Sequence, residues 1–382
     1  MPAMKITKVE TIRYPRGVQV HAGAIDWLWV RVHTDEGLVG LGETYPCAAP
    51  EAAAVHQCFA PRMMGRNPLE IDRLWADLFL AVSYHGWAGA EMRALSAIDI
   101  ALWDLAGKAL RAPVYQLLGG AARERILIYN TCYDRVDFLT EPVRLARELK
   151  ASGISAMKIW PFDRAGLASR GNRITAAEMR EGMEPLRLIK EEFGDSMDVA
   201  MEFHGYWNLP CAIQIAQALE PLRPMWLEEM LPQDNLSAYR ELARATRLPL
   251  TVSERLMTRW GFREVIENRA ARYIMPDLCW CGGFSEARKI AALAETYYLP
   301  IAPHNCGGPV LHAASAHFAA WCPNLFLLET VRRHYLEEYE GFVTHTVKPV
   351  DGTLPLPPGP GLGVELSEAA WGREGVEVVV SS

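Results

Sequence analysis

A closed α/β barrel is the fold class that three observations predict. Five apolar runs, each too short for a helix, end in a polar residue: Asp198-Val-Ala-Met-Glu202, Met225-Trp-Leu-Glu228, Pro249-Leu-Thr-Val-Ser-Glu254, Tyr273-Ile-Met-Pro-Asp277 and Leu299-Pro-Ile-Ala-Pro-His304. They read as strands buried on both faces, and amphipathic helical stretches (Ala212–Leu219, Leu236–Arg247, Phe284–Tyr297) fall between them. The three glutamates also stand at equal steps, since 228 − 202 = 26 and 254 − 228 = 26. Equal steps predict equivalent ends of three neighbouring strands, which in a closed barrel converge on one mouth.

Taken in order, the chain begins with alternating runs at Lys5–Thr11, Trp27–Thr34 and Leu38–Glu43, with Asp35-Glu36-Gly37 as a turn. Connections this short predict an antiparallel meander. The stretch Tyr14–Asp26, rich in small residues, reads as a loop, and its His21 as a surface residue. From about Ala49 to Leu110 the apolar period is helical. Ala94–Lys108 is apolar around most of its circumference and must be buried between neighbours, which makes Asp99 and Asp104 packing residues rather than catalytic ones. Pro113 and the Gly119-Gly120 pair then end the helical pattern. Barrel strands follow at Ile126–Asn130 and Ser155–Trp160, where alternation points Lys158 and Trp160 the same way. Pro161–Thr175 is longer than a strand-to-helix loop needs to be, and reads either as a carrier of Arg170 or Arg173 over the mouth or as solvent decoration. An eighth strand is expected at Asn324–Glu329, and the Pro-rich Leu354–Gly363 as a stiff extended connector.

Composition narrows the function classes. The 382 residues suffice for a barrel of about 250 plus a smaller second domain. A net charge of −7 gives no basic footprint, so neither nucleic acid nor a membrane surface is expected as a partner. Eight dispersed cysteines, no leader-like start and no apolar run of spanning length predict a cytoplasmic protein. Cys279-Trp-Cys281 lacks a second thiol pair and reads as buried thiols rather than a soft-metal site.

Chemistry enters through the acidic residues. A single acid after a strand is usually a helix cap or a solvated charge. Three at one mouth would repel unless a cation sits among them, and an all-oxygen set of Glu202, Glu228 and Glu254 suits Mg²⁺ better than zinc. These glutamates, with Asp277 and His304 on later strands, resemble the enolase superfamily and within it the mandelate racemase-like subgroup. The resemblance covers nearly the whole chain. It implies a modified (β/α)8-type barrel, (β/α)7β, with an N-terminal α+β capping domain completed by the C-terminal tail. The expected division is residues 1–124 for the capping domain with its lid loops, 125–353 for the barrel and 354–382 for the returning tail. Homo-oligomers are common among such relatives, and one is expected here.

The resemblance also orders the chemistry. A proton beside a carboxylate is weakly acidic, and its removal needs a base together with stabilisation of the enediolate. His304 is the expected base, with Asp277 fixing its tautomer. His204, two positions past Glu202, is expected to donate a proton to a departing hydroxyl from the opposite side, which makes the reaction a β-elimination of water. Glu202-Phe-His204-Gly205 is similar to the Asp-Phe-His-Gly of sugar-acid dehydratases such as galactonate dehydratase. Glu329 matches a family carboxylic acid that hydrogen-bonds the enediolate. Lys158 reads either as the holder of the substrate carboxylate or as a solvated charge. Two departures stand out: Glu202 replaces the usual Asp, and Trp160 replaces a second lysine, which argues against two-base racemisation. The expected activity is Mg-dependent dehydration of an acid sugar to a 2-keto-3-deoxy acid. The alternatives are a cycloisomerase or epimerase acting on an anhydro-sugar acid or lactone, and a catalytically silent sugar-acid-binding barrel.

Overall fold

The structure is a computed structural model that describes residues 4–20, 23–84 and 86–382. Strands β1 (Ile6–Val20), β2 (Gly23–Thr34) and β3 (Val39–Thr44) form the expected antiparallel meander. The expected loop at Tyr14–Asp26 is instead the far half of its first hairpin: pairing continues from Arg13 opposite Leu28 to Val20 opposite Gly23, with an irregularity between Pro15 and Val18. Aromatic packing holds this extension, with Tyr14 set 5.9 Å from Trp27 and 4.6 Å from Phe342. His21 lies outside the described residues.

Helical segments Ala48–Met63, Ile71–Ser83 and Ala90–Leu110 follow. The last is the keel of the molecule, buried without a break from Ala94 to Gly107. Each leucine or isoleucine it hides contributes about 1.5–3 kcal/mol. One side lies so close to β3 that a Cβ at Gly42 would stand 1.9 Å from the Ala97 carbonyl oxygen. Its other side meets the barrel helix Gly283–Thr296, where Asp99 accepts from the Ser285 N–H at 3.0 Å and Trp103 donates to the Ser285 hydroxyl at 3.1 Å. Asp104 accepts from the Leu41 and Leu362 N–H groups at 2.8 and 2.7 Å. Both aspartates are therefore packing residues, as their sequence setting indicates.

The barrel is built from parallel strands β4 (Arg125–Thr131), β5 (Ala156–Ile159), β6 (Asp198–Glu202), β7 (Leu227–Glu228), β8 (Leu250–Val252), β9 (Tyr273–Ile274) and β10 (Leu328–Thr330). β10 pairs with β4, and residues 301–304 fill the place between β9 and β10 through single bridges at Ile301 and His304. With that segment the ring has eight staves. Helices follow the first seven, and among the described residues none of regular α type follows β10, which gives the (β/α)7β form. The stretch 161–175 is not an extended loop but holds a short helix, Asp163–Ser169, before the next helix starts at a Thr175–Glu178 capping box. After β10 the chain adds β11 (Thr353–Pro355) antiparallel to β4, and β12 (Glu377–Ser381) returns to pair with β1. All eight cysteines are free thiols, and Cys279 and Cys281 are buried. Among the described residues no helix is long and apolar enough to cross a membrane.

Candidate functional site

Strand alternation builds the site from the barrel floor. Tyr129, Ala156, Ala200, Trp226, Met275 and Ala302 form one buried layer inside the ring, with large and small side chains offsetting one another. The residue two positions further along each stave points the same way, one layer nearer the mouth. Those residues are Thr131, Lys158, Glu202, Glu228, Asp277 and His304, and all are buried. Glu329 stands two past Leu327, which packs against the same layer. A single periodic rule therefore brings together six of the eight residues expected from sequence to act as catalytic groups or metal ligands.

The exceptions are Glu254 and His204. Glu202 pairs with Glu228 across β6 and β7, but Glu228 pairs with Thr251, so Glu254 sits three residues beyond the equivalent position. The equal steps of 26 thus do not give equal register, because staves in a closed barrel are staggered and β8 ends at Val252. His204 is not on strand β6, which ends at Glu202; with φ of 51° followed by Gly205 at 66°, the chain turns out of the strand there. Its ring nevertheless lines the same cavity, about 180 Å³, as Arg16, Thr131, Tyr133, Lys158, Trp160, Glu202, Glu254, His304, Cys306, Val331 and His334. β6 is third in the ring counted from β4 and the 301–304 segment is seventh, so His204, just past the end of β6, and His304 come to the cavity from opposite sides of the ring.

Lys158 is no solvated charge. Its Nζ lies 2.9 Å from Glu329 Oε1 and 3.5 Å from Glu202 Oε2, and it bonds Glu228 Oε1. Burial works against its charge, but Glu228 and Glu329 outweigh that and hold the ammonium well above the ordinary lysine range. Burial raises Glu202 to about 7 and Glu228 well above the usual carboxylate range, and the two carboxyls share a hydrogen bond. Glu202 Oε1 also accepts from the N–H groups of Phe203 and His204 at 3.0 and 2.7 Å. Burial would raise Glu254 too, yet His304, Arg255 and Lys158 draw it below its ordinary value. Against burial, Lys158 and His304 hold Glu329 down to about 2. Glu329 therefore stands here as an acceptor, from Thr131 and from the Asn305 N–H at 2.8 Å, and must take up a proton before it can donate one.

His304 Nδ1 lies 2.7 Å from Asp277 Oδ2, which leaves Nε2 towards the cavity, 3.8 Å from Glu329. Burial lowers the imidazole, but Glu329 and the Asp277 hydrogen bond outweigh it and raise His304 above the usual histidine range. His204 is held in a similar way, its Nδ1 2.7 Å from Asp163 Oδ2. Nothing in the spacing of 161–175 points to Asp163. Tyr45, whose hydroxyl donates to Asp277 at 2.6 Å, was equally hidden, 232 positions away in sequence. Arg170 and Arg173 are exposed and do not line the cavity.

As a metal centre, Glu202, Glu228 and Glu254 offer only oxygen donors, and among the described residues the buried Oε2 of Glu254 has no hydrogen-bond partner. That donor set suits a hard dication. In this conformation Lys158 supplies the counter-charge to Glu202 and Glu228. Among the described residues, the group whose donor atoms already lie within 4.8 Å of one another is His304, Cys306 and Glu329. Burial pushes the Cys306 thiol up to about 11, and the group's sulfur and nitrogen donors differ from the all-oxygen set that suits Mg²⁺.

Comparison with known proteins gives two family matches: residues 4–119 with the mandelate racemase/muconate lactonizing enzyme N-terminal domain, and residues 141–370 with the enolase C-terminal domain-like family. The chain is 34% identical over 374 residues to the D-galactonate dehydratase of Pectobacterium atrosepticum, covering 96% of this chain and 93% of that one. A crystal structure of an enolase of the mandelate racemase subgroup from Agrobacterium tumefaciens, with a succinimide residue, is 43% identical over 99% of both chains at a TM-score of 0.90. A mandelate racemase/muconate lactonizing enzyme-like protein from Rubrobacter xylanophilus is 36% identical, covering 98% of this chain and 99% of that one, at a TM-score of 0.88.

Proposed function

The chain belongs to the mandelate racemase/muconate lactonizing enzyme family of the enolase superfamily, and from that premise we propose that it is a hydro-lyase acting on an acid sugar. The observation that carries this reading is the pair of carboxylate-held histidines on opposite sides of one cavity, His304 on Asp277 and His204 on Asp163. The Lys158 ammonium binds the substrate carboxylate. His304 takes the α-proton at Nε2 from its neutral form, in which Asp277 keeps the remaining proton on Nδ1 and the lone pair stands on Nε2. From the other face His204 gives the proton at its Nε2 to the β-hydroxyl, whose C–O bond breaks to release water. The resulting enol tautomerises to the 2-keto-3-deoxy acid. Glu202, Glu228 and Glu254 would hold Mg²⁺, which when bound supplies positive charge beside the carboxylate as the enediolate forms. Trp160, lining the cavity at the end of β5, offers no second base, which favours elimination over racemisation.

The test is a screen of the protein with Mg²⁺ against mono- and diacid sugars, with semicarbazide detection of 2-keto acids. A 2-keto-3-deoxy product supports the reading and names the substrate. An isomer of the substrate, formed without loss of water, would replace it with cycloisomerisation or epimerisation.

A further inference from the structure

The base and its carboxylate belong to the barrel, yet a third side chain reaches them from the N-terminal sheet. Tyr45 follows the last residue of β3, is 4% exposed, and donates its hydroxyl to Asp277 Oδ2 at 2.6 Å. That same oxygen holds His304 Nδ1 at 2.7 Å, and the phenol oxygen is 3.3 Å from that nitrogen. The other oxygen, Oδ1, accepts from the Cys279 N–H at 2.7 Å.

The surroundings of Tyr45 fix where its hydroxyl falls. Trp280 donates from its indole to the Tyr45 carbonyl at 2.9 Å and packs against both the Tyr45 and His304 rings, at 5.0 and 5.7 Å. On either side, Thr44 donates to the Cys279 carbonyl at 3.2 Å and the Cys279 thiol to the Glu43 carbonyl at 2.9 Å. A Cβ at Gly307 would stand 2.6 Å from the Tyr45 ring, so the glycine makes room for it.

Resting on the dehydratase reading, we propose that Tyr45 is a positioning residue for the base: it competes with His304 for one Asp277 oxygen and thereby makes the basicity of His304 depend on docking of the N-terminal sheet. Donation to a carboxylate disperses its charge, so the phenol weakens the hold of Asp277 on a protonated imidazole. The other titratable groups facing His304 are Glu329, Cys306 and Glu254, and those facing Asp277 and Tyr45 are the Cys306, Cys279 and Cys281 thiols. Exchanging the hydroxyl of Tyr45 for hydrogen alters none of them.

The experiment is an NMR titration of ¹⁵N-histidine-labelled protein, with the His304 signal assigned by its loss in His304→Asn. In Tyr45→Phe the His304 midpoint should rise by about 0.5 to 1 pH unit. The acid limb of kcat/KM should move up with it. Incorporation of 3-fluorotyrosine at position 45, a stronger donor of the same shape, should move the midpoint down, and this arm stands even if the Phe variant fails to fold. A midpoint that does not respond, or that moves the opposite way, overturns the proposal. The titration needs no substrate. A shifted midpoint in a protein that turns over no acid sugar would sink the dehydratase reading alone, and an unshifted midpoint in an active dehydratase would sink the role of Tyr45 alone.

Discussion

Replacing Asp163 with asparagine separates the two halves of the proposed elimination. Asp163 is buried and holds His204 Nδ1 at 2.7 Å, while the His204 side chain is 32% exposed. A hydrogen bond to a charged partner contributes about 1.5–3 kcal/mol and a neutral one about 0.5–1.5, so the exchange costs about 1–1.5 kcal/mol. Solvent at the half-open imidazole places the cost toward the lower figure. At about 1.4 kcal/mol per tenfold, loss of water should slow by about 5- to 12-fold. Exchange of the α-proton with solvent should change by less than about twofold, because His304 and Asp277 stand on the opposite side of the ring and are untouched. The assay follows one substrate in D₂O by NMR, reading deuterium at Cα and keto acid together. Equal loss of exchange and elimination would show that Asp163 supports the site as a whole and that His204 has no separate duty.

Three further outcomes are expected. Gly42→Ala places a methyl carbon 1.9 Å from the Ala97 carbonyl oxygen, and forcing the keel helix off β3 should cost about 1–3 kcal/mol, read as a lower urea midpoint; an unchanged midpoint would mean the two elements are not in contact in solution. His317 is fully buried, and burial lowers it to about 4 from an ordinary 6.5. The unfolded chain therefore takes up this proton first, and stability should fall by about 3 kcal/mol as the pH drops from 6.5 towards 4. His317→Gln should flatten that part of the pH–stability curve, and a variant curve parallel to the wild type would refute it. Chelation should abolish keto-acid formation and Mg²⁺ restore it, with Glu254→Gln raising the Mg²⁺ concentration required; full activity after chelation would rule out the metal role of the three glutamates.

The sequence reveals the barrel and most of its mouth because both obey one local rule. Staves buried on both faces read as short apolar runs, and the residue two beyond a floor residue such as Ala200 or Ala302 must be the one at the mouth, Glu202 or His304. Where strand-like pairing ends, the rule ends with it: Asp277 lies past β9 but keeps a bridge to His304. Glu254 lies past β8 and His204 past β6, and their positions depend on stagger and on a left-handed turn that alternation does not describe. The stretch from Tyr14 to Asp26 misleads for another reason: its small residues look like a loop, while the pairing is held by aromatic side chains such as Trp27 and Phe342, far apart in the chain. Asp163 and Tyr45 are illegible because each reaches the site from a different element, with no spacing or motif that ties it to its partner.

The central claim is a base and an acid on opposite sides of the cavity serving two different steps. It is tested most directly by His304→Asn and His204→Asn, each incubated with substrate and Mg²⁺ in D₂O. The account predicts that His304→Asn neither exchanges the α-proton nor forms keto acid, whereas His204→Asn exchanges the proton but expels no water. Dehydration that survives both substitutions, or exchange that is lost in both alike, would contradict it.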